Sequence, residues 1–231
     1  MKIDYLGHSG FLIETGNGIL LFDDYRGDLS LLEVKPAEKP LYVFVSHAHA
    51  DHFDPAVFAI TGRPVRYLLS FDIKGDPKVP ENKDVRYLDA DRTYAVEGLG
   101  TVRTLLSTDQ GVAFLVETPD GMLFHAGDLN WWDWPGEDPV WLREQETGFR
   151  REIEKIRDIP IDAAFGVLDD RLEGNYANGL ILLLSVCRIR YLLPMHFWKD
   201  RSVVERFRSL PAVRKSGTVV LDTAKETHWE I

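Results

Sequence analysis

Three imidazoles and a carboxylate stand within six residues of one another in the run Ser46-His47-Ala48-His49-Ala50-Asp51-His52. The run follows Leu41-Tyr42-Val43-Phe44-Val45, an apolar, β-branched and aromatic stretch of strand length, so these groups leave the end of a buried strand. His47 and His49 are two apart, and on an extended strand end both rings point to the same side, which makes a pincer for one metal ion. Asp51 and His52 follow where the chain must turn, and with other ligands they could hold a second ion. Neutral imidazole plus carboxylate suits zinc and also admits manganese or iron. A lone His-x-His pair is weak evidence, whereas the full string directly after a strong strand reads as a metal signature.

Three other stretches accompany it: Leu6-Gly7-His8-Ser9-Gly10-Phe11, His125-Ala126-Gly127-Asp128 and Pro194-Met195-His196-Phe197. Together the four resemble the metallo-β-lactamase superfamily of metal-dependent hydrolases, most closely its lactonase-like and bacterial branches, over nearly the whole chain. The resemblance implies an α+β fold, a four-layer αββα sandwich. It also implies a ligand set in which His47 and His49 serve a first ion, Asp51, His52 and His196 a second, and Asp128 bridges the two. The family pattern expects one more histidine just before the strand Gly111-Val112-Ala113-Phe114, and Ser107 stands there instead. A serine hydroxyl is a poor ligand and the nearby Asp109 carboxylate a good one. Asp109 could therefore substitute, a water could complete the site, or one ion alone could bind. His125 is a further possible ligand, with a supporting role behind the ligands as the alternative.

The chemistry this points to is hydrolysis by metal-activated water, with Asp51 and Asp128 as the catalytic carboxylates. No Gly-x-Ser-x-Gly elbow is present, and phosphate-cradling and dinucleotide fingerprints are also missing. The expected substrate is a small anionic lactone, ester or phosphodiester. His8 and Ser107 could face it, and Trp131 and Trp132, in the tryptophan-rich run behind Asp128, could wall the pocket. Arg171 and Lys199 could grip an anionic group. His228 reads as structural or solvated. A nuclease of the same superfamily is one alternative function, and a non-catalytic metal-binding or ligand-sensing protein, motivated by Ser107, is another.

The chain must also position these groups. Its 231 residues, 45% hydrophobic and 28% charged, suit one globular domain, with a strand-rich first half over about 1–130 and an α/β second half over about 131–231. Strands are expected at residues 1–6, 11–15, 19–22, 41–45, 65–70, 85–88, 102–106, 112–116 and 122–125, with a short helix over 54–60. Helices over 140–157, 176–187 and 202–210 then alternate with strands over 161–167, 190–194 and 218–221. The formal charge of −10, from 27 basic and 37 acidic residues, disfavours a nucleic-acid partner. Cys187 is the only cysteine, so no intrachain disulfide is possible. No run approaches membrane-spanning length and no leader is recognisable, so a cytoplasmic location without a membrane partner is expected.

Overall fold

A computed structural model describes residues 1–231. The chain forms two seven-stranded sheets. The first contains β1 (Lys2–Gly7), β2 (Gly10–Glu14), β3 (Ile19–Phe22), β4 (Leu41–Val45), β5 (Val65–Ser70) and β6 (Val85–Leu88) in that order, and a last strand, His228–Glu230, adds to the free edge of β1. The second runs from its edge as β7 (Thr93–Val96), β8 (Gly100–Leu106), β9 (Val112–Thr118), β10 (Gly121–His125), β11 (Ile161–Val167), β12 (Ile189–Met195) and β13 (Val219–Val220). In chain order the last strand is β14.

The sheets pack face to face because alternate residues of apolar strands point to opposite sides. Leu20, Phe22, Tyr42 and Phe44 enter the core shared with the second sheet, where Phe44 lies 5.2 Å from Phe114 and Phe11 lies 4.4 Å from Phe165, centroid to centroid. Ile19, Leu21, Leu41, Val43 and Val45 face the other way, into a smaller apolar layer. Burial on both faces explains why β3 and β4 read as unbroken apolar runs and pair in parallel.

On the outer face of the second sheet lie α1 (Pro139–Glu154), α2 (Asn178–Val186), α3 (Ser202–Ser209) and α4 (Pro211–Lys215). Phe149, Ile153, Leu180 and Phe207 are buried there. Gly166 of β11 makes the close approach possible, since a Cβ at that position would sit 2.6 Å from Leu180 Cδ2. The outer layer of the first sheet differs from the expected helical one. It consists of three 3-10 helices, Leu29–Val34, Pro55–Ala59 and Phe71–Ile73, which contribute Leu32, Val57, Phe58 and Ile73. The helix expected over 54–60 is the second of these. Asp54 caps it and Pro55 starts it, but Ile60 is already extended, so only 3-10 bonding develops. No helix is long and apolar enough to cross a membrane.

Candidate metal centre

The parallel registers put functional residues at one rim. Phe22 pairs with Phe44, so Asp23 emerges beside Ser46, and Val167 pairs with Met195, so Asp169 emerges beside His196. Two glycines then draw the sheets together. Gly111 and Gly127 have φ of +67° and +51°, and a Cβ on them would lie 2.0 Å from the Ser46 carbonyl oxygen and 2.6 Å from Ser46 Cβ. With that space empty, the Val112 N–H of the second sheet donates to Ser46 O at 2.9 Å. The histidine string and Asp128 consequently face each other across the rim.

The potential ligands fall into two groups, each with ligand atoms within 4.8 Å of one another: His8, Asp51, His52 and His196, and His47, His49, Asp109 and Asp128. Asp128 also reaches the first group. Its Oδ1 lies 3.2 Å from His52 Nε2 and 3.3 Å from His196 Nε2, while its Oδ2 lies 3.8 Å from His47 Nε2. One carboxylate thus presents an oxygen to each group. In the other group His49 Nδ1 is 3.1 Å from His47 Nε2 and 3.4 Å from Asp109 Oδ2. His52 Nε2, His196 Nε2 and Asp128 Oδ1 are buried without a hydrogen-bond partner. Unpaired buried polar atoms are costly, and three converging on one point fit a divalent cation.

His8, expected to face substrate, lies in a ligand group, with Nε2 3.2 Å from Asp51 Oδ2. Its ring centroid is 4.2 Å from that of His196, and its carbonyl accepts from the His196 N–H at 3.0 Å. Both residues have positive φ, 51° and 66°, a conformation costly for non-glycine residues that holds the two imidazoles together. Asp109, from the loop after β8, occupies the second group where a histidine was expected. Ser107 accepts the Asp109 N–H at 3.1 Å and so shapes that loop; it does not line the cavity. Thr108 anchors the loop to Asn130 O at 2.5 Å, and buried Glu152 of α1 accepts from Leu106 N.

His125 is not placed as a ligand. Its Nε2 donates to Ser9 O at 2.9 Å, its Nδ1 accepts from Gly127 N, and its ring stacks on Phe22. Both nitrogens are engaged in positioning the turn that carries Asp128. The sequence assigned no role to Asp23 or Asp169. Both are fully buried. Asp23 Oδ2 accepts from His52 Nδ1 at 2.8 Å and from Ser46 Oγ at 2.6 Å, and its Oδ1 accepts from Ser46 N at 2.7 Å. Asp169 Oδ2 meets His196 Nδ1 at 3.1 Å and is itself gripped by Arg171. A carboxylate behind Nδ1 keeps the proton there and leaves the Nε2 lone pair for a metal. The only available signal was an aspartate just past each of two strands that neighbour ligand-bearing strands.

Charges in the centre are strongly coupled. Burial would lower the pKa of His52 and of His196, but the Asp128 charge and the hydrogen bonds to Asp23 and Asp169 prevail, raising His52 well above its ordinary value and His196 to about 9. Burial would raise Asp128, yet His196 and His52 hold it well below the carboxylate range. Asp51 is likewise lowered, since the His8 hydrogen bond and the His52 charge outweigh its burial. Burial and the neighbouring His52 push His47 down to about 3. Asp109 is raised, by burial and then by Asp128.

The centre opens into a cavity of about 220 Å³. Trp132 and Trp134 lie on one wall with parallel rings 6.0 Å apart, and Trp132 Nε1 donates to Asp128 O at 3.0 Å. Arg171 lines the cavity with its guanidinium 5.3 Å from the Trp134 ring and 4.9 Å from the Trp198 ring. Trp131 and Lys199, also expected near substrate, do not line it. Trp131 packs against the core and Lys199 is exposed.

Residues 2–131 match the family model described as the beta-lactamase superfamily domain, and the chain belongs to that family, the metallo-β-lactamase superfamily. It is 30% identical over 143 residues to a UPF0173 metal-dependent hydrolase of Pyrobaculum islandicum, a match covering 55% of this chain and 61% of that relative. It is 25% identical over 233 residues to a UPF0173 metal-dependent hydrolase of Opitutus terrae, covering 94% of each. The structure of Igni18, a metallo hydrolase of Ignicoccus hospitalis, shares the fold, with a TM-score of 0.69 at 16% identity over 100% of this chain and 98% of the other.

Proposed function

We propose that this protein is a metal-dependent hydrolase with a two-ion centre that cleaves a lactone, ester or phosphodiester bond in a small anionic molecule. The observation that carries the reading is the position of Asp128, one oxygen toward each histidine group, at the floor of a cavity. The relatives' naming as metal-dependent hydrolases supports it. His8, Asp51, His52 and His196 would hold one ion, His47, His49 and Asp109 the other, and Asp128 both. Bound divalent ions supply Lewis acidity and an acidified water, and zinc, manganese or iron suits this donor set.

The chain's own residues do the rest. Asp51 stays ionised and is held by His8, so it can orient a water at the rim as a hydrogen-bond acceptor. Asp23 and Asp169 fix the rings and tautomers of His52 and His196. Trp132 and Trp134 wall the cavity and exclude bulk water. Arg171, pinned by Asp169 and flanked by two indoles, offers a fixed positive charge to an anionic substrate. The chain's formal net charge of −10 disfavours a nucleic-acid backbone as substrate.

The test is elemental analysis of untagged protein purified without chelators, followed by assay against chromogenic lactones, esters and phosphodiesters before and after chelation. Bound metal with chelator-sensitive turnover of one class is expected. Protein with both positions filled that turns over none of the three classes would refute the hydrolase reading.

A further inference from the structure

We infer that the two ion positions are unequal: the enclosed one, formed by His8, Asp51, His52 and His196, takes and keeps the first ion, and the open one, formed by His47, His49 and Asp109, takes the second and exchanges it. The inference rests on the metal centre proposed above.

Enclosure is the first observation. The side chains of His8, Asp51, His52 and His196 are 7%, 23%, 0% and 2% exposed, whereas in the other group only His47 is fully buried and His49 and Asp109 are 43% and 39% exposed. Both positions border the cavity, but water competes for an ion more freely at the open one, where two of the three ligands of its own are more than a third exposed. Support behind the ligands is the second. In the enclosed position, two rings are each backed by a fully buried carboxylate, Asp23 at 2.8 Å from His52 Nδ1 and Asp169 at 3.1 Å from His196 Nδ1. In the open position His47 Nδ1 is backed only by the Ser46 hydroxyl at 3.0 Å, and no protein group backs His49. A backing partner typically changes metal affinity 10- to 100-fold, so two of them separate the positions by about 100-fold or more.

Unmet demand for charge is the third. Of the buried polar atoms left without a partner, His52 Nε2, His196 Nε2 and Asp128 Oδ1 all converge on the enclosed position, and neither His49 nor Asp109 contributes one. The open position also relies on a loop carboxylate where the family pattern has a histidine at a strand end. The loop's anchors, Thr108 on Asn130 and Gln145 on the Thr108 carbonyl, hold its backbone and leave the Asp109 carboxylate itself partly in solvent.

The experiment is stepwise titration of metal-stripped full-length protein with zinc chloride and, separately, manganese chloride, read by calorimetry and by competition with a chromophoric chelator. Wild-type protein should bind in two steps separated by about 100-fold or more, and brief dialysis should remove one ion per chain. Asp109→Ala should abolish the weak step and leave the tight one. Asp169→Asn, a near-isosteric change, should weaken the tight step 10- to 100-fold with circular dichroism unchanged. Two ions of equal affinity and exchange rate would overturn the inference while leaving the two-ion hydrolase intact, as would loss of the tight step in Asp109→Ala. Failure of wild-type protein to bind either metal would overturn the metal centre itself.

Discussion

Asp23→Asn isolates what a buried carboxylate does for a ligand it backs. In the wild type the carboxylate can only accept, so His52 must place its proton on Nδ1 and turn the Nε2 lone pair toward Asp128. Asparagine can keep the Oδ1 bond from Ser46 N, but its NH2 then replaces Oδ2 opposite His52 Nδ1. That nitrogen becomes the acceptor, the proton moves to Nε2, and His52 can no longer coordinate without breaking the new bond. A loss of 10- to 100-fold in affinity at the enclosed position follows, equivalent to about 1.4–2.8 kcal/mol. The metal-free variant should also lose stability at neutral pH, because its hydrogen bonds are exchanged but the buried carboxylate that helps keep His52 charged is gone. Asp23→Ala, which strands Ser46 N–H in a buried site, should cost the metal-free protein about 1–3 kcal/mol for that group alone. Chelator competition measures the first effect and urea unfolding the second. Wild-type metal affinity in a folded Asp23→Asn protein would refute the tautomer argument.

Asp128→Ala should lower turnover by orders of magnitude with the far-ultraviolet dichroism of the wild type, since both histidine groups lose their common carboxylate; a metal-loaded variant with wild-type rates would remove Asp128 from the chemistry. Gly111→Ala should destabilise by at least about 1–2 kcal/mol from left-handed strain alone, before the clash with Ser46 O is counted, and should lower metal content; unchanged urea midpoint and metal content would show that the rim does not depend on that close approach. Buried Asp24, whose pKa burial raises from 3.8 to about 6, makes a contribution to stability that is present below pH 4 and lost as pH rises through 6. Asp24→Asn, which can keep the bond from Gly27 N, should therefore be more stable than wild type at pH 7.5 by up to about 3 kcal/mol and no different near pH 4, as read by thermal unfolding at both pH values.

Much of this architecture was legible because its strands are unbroken apolar runs, as in β3 and β4, or alternating ones, as in β5. Residues 19–22, 41–45, 65–70, 85–88 and 161–167 are strands over the ranges read from composition alone. β7 escaped notice because it is a mostly exposed edge strand, Thr93–Val96, without an apolar run. β14 is three residues whose strand character comes from pairing with β1 across nearly the whole chain, Ile3 opposite Trp229. The site divides in the same way. His47, His49, Asp51 and His52 announce themselves by local spacing, whereas Asp23, Asp169 and the ligand position of His8 depend on strand register and on left-handed turns, which local spacing does not encode.

Each of the two potential ligand groups draws on both sheets: His8 and the central histidine string leave strands of the first, while Asp109, Asp128 and His196 leave strands of the second. Neither position can be complete before the sheets have docked, and the sheets cannot part without tearing one open. Metal should thus leave the refolding rate nearly untouched and slow unfolding, acting after the transition state in which the halves meet. What metal supply would govern is the lifetime of the finished molecule rather than the speed of its assembly.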